Sequence, residues 1–179
     1  MSNDEQLVKL CIEKNREAQK MLFEKYASRM MGICLRYTAS NEDAKDILQE
    51  GFVKVFTKLD SFNFGSSLQT WMSRIFTNLA INHITRGKAK YTHVDIEETE
   101  QLAYEDSSED MEKWGGLTSE QILEHVQQLP DKYRVVLNMY AIDGYSHQEI
   151  ADQLGLTVNN SKSRLLRARA ILKEKIRMK

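Results

Sequence analysis

The chain has 179 residues, 41% of them apolar, and a net charge of −1, enough for one large domain or two small ones. No apolar run approaches the roughly 18 residues of a membrane-spanning helix. With no net positive field, any attraction to nucleic acid must come from charge segregated along the chain. One proline (Pro130), eight glycines and long periodic runs predict an all-α protein.

The start, MSNDEQLVKL, lacks a basic-then-apolar leader, which predicts a cytoplasmic protein without direct membrane insertion. Residues 4–14 read as a short helix. Residues 17–38 read as a longer one, with Leu22, Phe23, Tyr26, Met30, Ile33 and Tyr37 at helical spacing. Cys11 and Cys34 fall inside these patterns, with no second Cys or His at ligand spacing, and read as buried thiols in a reducing compartment. Thr38 to Asn41 break the pattern. A third helix follows with Glu42 and Asp43 in its first turn, where the dipole favours acids. It runs to about Leu59 and buries Ile47, Leu48, Phe52, Val55, Phe56 and Leu59. After a loop over 60–66, Ser66 and Gln69 have capping-box spacing. They open a fourth helix through about Thr85, with Trp71, Met72, Ile75, Phe76, Leu79 and Ile81 as its apolar residues. Arg86, Gly87, Lys88 and Lys90 follow.

Composition then changes. Between Tyr91 and Gly115 there are nine Asp/Glu and one Lys, closed by Gly115-Gly116. This predicts a flexible acidic linker. It divides the chain into two helical domains, 1–90 and 118–179, joined by 91–117. The second domain reads as about four helices. Thr118 with Gln121 caps the first, Pro130 sits in the first turn of the next, and Gly144 precedes the stretch YSHQEIADQLGLTVNNSKSRLLRARAIL.

That stretch, residues 145–172, reads as a helix-turn-helix. Ser146 and Glu149 form a capping box, Gly155 supplies the left-handed residue a helix end needs, and Thr157 caps the second helix. In that helix Val158, Ser161, Leu165, Ala168 and Leu172 fall on one side. Asn159, Asn160, Ser163, Arg164 and Arg167 fall largely opposite, with Lys162 flanking. From 158 to 179 there are eight Lys/Arg and one acid, Glu174. Amides, a hydroxyl and guanidiniums on one face are the groups that read base edges and hold phosphates. These six polar residues, Asn159, Asn160, Lys162, Ser163, Arg164 and Arg167, are the candidate duplex-DNA contacts. Four scattered histidines (His83, His93, His125, His147), no HExxH, no GxxxxGK[ST] and no nucleophile–base pair predict no catalytic, metal or cofactor site.

With these parts in order, nearly the whole chain resembles the extracytoplasmic-function (ECF) group of bacterial RNA polymerase sigma factors. DAKDILQEGFVKVFTKLDSF (43–62) is similar to the helix that binds the polymerase clamp helices, LQTWMSRIFTNLAINHITR (68–86) to the −10 reading helix, and the segment from Leu129 to Arg169 to the −35 domain. The resemblance implies a dissociable promoter-specificity subunit, not an enzyme. Its partners would be core RNA polymerase and promoter DNA; members of the family are commonly held by an anti-sigma factor, and the sequence leaves open whether this chain has one. Asp46, Gln49 and Glu50 match the family's polymerase contacts. The loop from Ser61 to Ser67 resembles its pocket for a flipped non-template base. Phe64 and Ser66 are candidate −10 contacts there, with Phe62 and Trp71 read as core. Asn78 and Asn82, four apart, share a face, and Arg86 and Lys88 follow as phosphate contacts. The acidic linker resembles the strand that family members thread through the polymerase cleft. The chain departs from the family at Asn159-Asn160-Ser161, where Gly-Thr-Val is usual, and at Asn82, where an acid is common. The alternative reading is a free-standing helix-turn-helix regulator, which would bind its operator without polymerase.

Overall fold

The computed structural model describes residues 3–86 and 118–177, and every regular element among them is helical. The chain separates into two units, Met1–Arg86 and Gly87–Lys179.

The first unit is built on three long helices with a short one laid against them. Helix α1, Asn3–Ile12, ends before Lys14, whose φ is 61°. It is held to α2, Arg16–Tyr37, by Asp4: Lys25 Nζ donates to its carboxylate at 2.5 Å and the Tyr26 hydroxyl at 3.1 Å. The Lys25 hydrogen bond holds the Asp4 carboxyl below its ordinary range. The Asn15 side chain caps α2, accepting from Ala18 N at 3.0 Å. Ser40 caps α3, Asn41–Lys58, accepting from Asp43 N at 3.1 Å. A 3-10 turn, Leu59–Ser61, leads into the loop before α4, Leu68–Arg86.

Leu22, Met30 and Tyr37 of α2, Ile47, Phe52 and Val55 of α3, and Met72, Phe76 and Leu79 of α4 are all buried. Each such side chain stabilises the fold by about 1.5–3 kcal/mol relative to exposure. The Phe52 ring lies 4.6 Å from Phe23 and 5.4 Å from Phe76. Gly51 permits that approach, because a Cβ there would sit 2.1 Å from the Phe76 ring. Both cysteines are buried, and burial pushes the Cys34 thiol up to about 12.

One expected cap is displaced. Helix α4 is capped by Ser67, whose hydroxyl accepts from Thr70 N at 3.1 Å, and not by Ser66. Spacing rules favour Ser66, with Gln69 three residues on, over Ser67, which has Thr70 there. The Asn63 side chain, accepting from Gly65 N at 3.0 Å, makes a turn in the loop that carries the chain one residue further before the helix begins.

In the second unit α5, Ser119–Gln127, starts with the expected capping box of Thr118 and Gln121. Pro130 stands one residue before α6, Asp131–Leu137, rather than inside its first turn; its carbonyl accepts from Tyr133 N and Arg134 N. Helix α6 widens into a π-helical turn, Asn138–Ile142, which the sequence did not announce. Helix α7, His147–Leu154, has the Ser146–Glu149 capping box and ends at Gly155, φ 66°. After residues 155–157, Thr157 accepts from Asn160 N at 3.1 Å and caps α8, Val158–Arg177.

Arg134 is 2% exposed, and its guanidinium donates to the carbonyls of Gln127 (2.8 Å) and Leu129 (2.9 Å) and pairs with Asp131. It clasps the turn between α5 and α6. Residues 91–117, the expected linker, lie outside the described residues together with Lys88.

Candidate nucleic-acid and protein interfaces

Helix α3 points Asp46, Gln49 and Glu50 outward on one face, all three exposed. Glu50 pairs with Lys54 one turn on, at 3.1 Å. An exposed pair of this kind is worth less than about 1 kcal/mol, so Glu50 exchanges partners at little cost. Asp43 approaches His83 of α4 at 3.3 Å, linking the start of α3 to the end of α4.

The loop before α4 carries a file of aromatic rings. Phe62 is buried, as expected, and its ring lies 4.7 Å from Phe64 and 5.3 Å from Trp71. Trp71 is half-buried, so it is neither a closed core anchor nor an open platform. Phe64 is 46% exposed and has φ 58°, a left-handed conformation that a bulky residue rarely adopts. Such outliers collect where the chain presents a group to a ligand. Ser66 is exposed beside it.

On α4, Asn78 and Asn82 are both exposed and share a face. Trp71, Arg74 and Ile75 fall on the same strip by their spacing of three and four. Arg74 is exposed. Sequence reasoning passed over it, although its place four residues before Asn78 marked it. Arg86 is the last residue of α4.

Helix α8 presents Asn159, Ser163 and Arg167 to solvent, with Asn160 and Lys162 half-buried. Val158 is half-buried, and Ser161, Leu165, Ala168 and Leu172 face inward and are buried, as expected. Arg164 does not join the outward face: it is 5% exposed. It stands three residues after Ser161 and four before Ala168, and those spacings put it beside them on the packing side. Its charge obscured that phase.

Ser161 is fully buried, and its hydroxyl lies 2.9 Å from Nδ1 of His147 at the start of α7. His147 stacks on Tyr140 of the π-helical turn, centroids 4.4 Å apart. Burial first, and then the positive charges of Lys162 and Arg169, pull the His147 pKa below its ordinary value. The Ser–His contact lies part-buried between α7 and α8 and ties the two helices of the turn together. Among the described residues no three His, Cys, Asp or Glu side chains are grouped to hold a metal, and no helix is long and apolar enough to cross a membrane.

Comparison with known proteins adds two regions and several relatives. Residues 22–90 match the family described as Sigma-70 region 2, and residues 119–172 match Sigma-70, region 4. The chain is 31% identical over 164 residues to the ECF RNA polymerase sigma factor SigW of Bacillus subtilis, covering 85% of each. It is 30% identical over 173 residues to the RNA polymerase sigma-H factor of Pseudomonas aeruginosa, covering 93% of this chain and 90% of that one. Two solved structures share the fold. CnrH, in complex with the cytosolic domain of CnrY, has a TM-score of 0.51 at 21% identity and 99% coverage of both chains. The sigma factor RpoE from Bartonella quintana, in complex with the anti-sigma factor NepR, has a TM-score of 0.52 at 22% identity, covering 88% of this chain and 96% of that one.

Proposed function

The chain belongs to the ECF group of RNA polymerase sigma factors, and from that premise we propose how its residues divide the work of a promoter-specificity subunit. Such a subunit binds core RNA polymerase, reads the −10 and −35 promoter elements and nucleates melting, and it performs no chemistry of its own. The observation that supports this best is the presence on one chain of both matched regions, 22–90 and 119–172.

In this reading residues 1–90 bind core polymerase and the −10 element, 91–117 are the linker, and 118–179 bind the −35 element. Asp46, Gln49 and Glu50 meet basic clamp helices, and opposite charge speeds that encounter. Phe64 and Ser66 line the pocket for an unstacked base, because a flipped base needs an aromatic or apolar surface and hydrogen-bonding groups. Asn78, Asn82, Arg86 and Lys88 continue the −10 contact, and Arg74 joins them. Asn159, Asn160, Lys162, Ser163 and Arg167 take the −35 duplex. Arg164 supports that helix from behind rather than touching DNA.

The protein works in the cytoplasm, where its polymerase is. The capture of RpoE with the anti-sigma factor NepR and of CnrH with CnrY supports a regulatory partner of that kind for this chain too.

The test is transcription from a defined start by purified protein with core polymerase. Wild type initiates at one site. Glu50→Lys loses core affinity by about 2–5 kcal/mol, the scale of a disrupted interfacial charge pair, while its melting curve stays unchanged. Failure of the wild-type protein to direct initiation at a defined site would overturn the function, and unaltered core binding by Glu50→Lys would overturn the assignment of α3.

A further inference from the structure

The chain departs from its family at Asn159-Asn160-Ser161, and the last of these residues has a matched partner on another helix. Ser161 is fully buried, the first residue of α8 to be so. The valine usual there has no hydrogen bond to make, whereas a buried hydroxyl needs a partner. Ser161 has one in Nδ1 of His147, the first residue of α7, 2.9 Å away. The imidazole is held on its face as well. The Tyr140 ring stacks on it, centroids 4.4 Å apart and planes 19° from parallel. Tyr140 belongs to the π-helical turn that follows α6, a distortion that collects at functional positions. Turn, ring and hydroxyl therefore make one line of contact from the end of α6 to the start of α8. The first two turns of α8 carry Asn159, Asn160, Lys162 and Ser163.

We propose that His147 is a positioning residue for −35 recognition: through Ser161 it fixes the rotation of α8, and with it the reach of Asn159, Asn160, Lys162 and Ser163 to base edges. This rests on the reading of α8 as the −35 helix. Recognition needs its contacting side chains held within about 0.5 Å and 10–20° by groups behind them. Side chains extend about 5–6 Å from a helix axis, so a rotation of about 20° moves their ends by about 2 Å. Leu165, Ala168 and Leu172 bury α8 through apolar contact, which is non-directional. The His147–Ser161 hydrogen bond is directional, and it lies beside the reading residues. The link is also sensitive to protonation. The charged groups that face the ring are Lys162 and Arg169 of α8, both cations. The π-helical turn offers it the Tyr140 ring, and on α7 the Glu149 carboxylate is occupied by the backbone N–H and hydroxyl of Ser146. A proton on His147 therefore meets like charge on the α8 side, and the ring is driven away from Ser161.

The experiment uses holoenzyme assembled from core polymerase and the full-length protein. Wild type first selects −35 sequences from promoter fragments randomised there. The measurement is then the ratio of affinities for the selected fragment and for one with a changed −35 base. Both fragments bring the same phosphates, so the ratio reads base recognition and does not depend on the fraction of protein folded. His147→Ala and Ser161→Ala should each lower the ratio about tenfold, the scale of a lost base contact. The double variant should fall no further, because either change breaks the same link. His147→Asn, whose amide nitrogen reaches the place of Nδ1, should stay within about threefold of wild type. From about pH 7.5 to about 5.5 the wild-type ratio should fall as the ring takes up its proton, while that of His147→Asn stays level. A selection with no −35 preference overturns the reading of α8 and the proposal with it. A defined preference that His147→Ala leaves intact, losses that add in the double variant, or an Asn variant as poor as the Ala one overturns the positioning role and leaves α8 in place. So does a wild-type ratio that does not change with pH.

Discussion

Helices α3 and α8 are both long, both amphipathic and both carry a proposed interface, yet they sort polar side chains differently. No charged residue of α3 is buried. Helix α8 buries Ser161 and Arg164, and the unit around it also buries His125, Arg134 and Asn138. The first unit closes on large apolar rings, Phe52 and Phe76, supplied by three long helices. The second sets the long α8 against helices of seven to nine residues, and its interior takes in polar groups: Ser161 and Arg134 are hydrogen-bonded there, while neither ring nitrogen of His125 has a hydrogen-bond partner among the described residues. Charge therefore marks the outside on α3 and does not on α8.

The largest expected effect probes the polar interior of the second unit. Arg134→Ala removes the clasp on the carbonyls of Gln127 and Leu129 and leaves Asp131 without its cation. It should destabilise the second unit by about 3–5 kcal/mol. Lysine should not rescue it, having no planar fork to reach three acceptors. Hydrogen-exchange protection over α6 would show the loss. Wild-type protection would erase the contrast between the units.

Next is a paired substitution within α8. Arg164→Ala should cost about 3 kcal/mol of stability, because it empties a buried stem and its polar end. Arg167→Ala should change stability by less than about 0.5 kcal/mol and weaken −35 duplex binding by about 1–3 kcal/mol. Melting curves and duplex titrations of the two variants separate the roles, and a reversed result would restore the outward placement of Arg164.

Gly51→Ala sharpens the other side of the comparison. The added methyl collides with the Phe76 ring, and overpacking of this kind costs about 1–3 kcal/mol. Denaturant unfolding followed at Trp71 would read it, and a companion Phe76→Leu should recover part of the loss. If Gly51→Ala alone unfolds like wild type, α3 and α4 are not in the close contact described.

The smallest effect is a pH dependence of the second unit. The folded state lowers the His147 pKa, so it favours the neutral ring. The resulting stability is complete above the ordinary value near 6.5. It is lost as pH falls from there through the lowered folded value, when a charged ring faces Lys162 and Arg169. Glu149, lowered chiefly by its hydrogen bond from the Ser146 backbone, loses its contribution only below its ordinary 4.5. Thermal melts of wild type and His147→Gln between pH 7.5 and 5 should therefore diverge only for wild type; parallel melts would remove His147 from the account.

Legibility in the sequence followed the same division. The caps at Thr118, Ser146 and Thr157 and the left-handed Gly155 were readable because each rests on a local motif with one solution. At the start of α4 the Ser66–Gln69 spacing points one residue too early, and the shift to Ser67 comes with a loop turn made by Asn63. On α3 the expected inside residues Ile47, Phe52, Val55 and Leu59 and the expected outside residues Asp46, Gln49 and Glu50 are found so, while Leu48 and Phe56, expected inside, are only half-buried. Arg164 was not readable: the helical period grouped it with the outward polar residues, but it stands at the edge of the packing stripe beside Ser161 and Ala168, where the packing of α6 and α7 against α8 decides. The π-helical turn has no spacing signature of its own, since it depends on hydrogen bonds from Asp143 N to Asn138 O and from Tyr145 N to Met139 O.

The left-handed backbone at Phe64 has a consequence for separating shape from surface. Holding a non-glycine residue there costs on the order of 1 kcal/mol, and the contact of its ring with Phe62 returns about as much. The side chain thus holds the loop in a conformation that its own Cβ opposes. Alanine at this position would keep the opposition and remove the hold, so the loop would relax. Glycine would remove both, and the loop could keep its path with no ring upon it. Comparing the two would divide the part a promoter base reads as contour from the part it reads as an aromatic face.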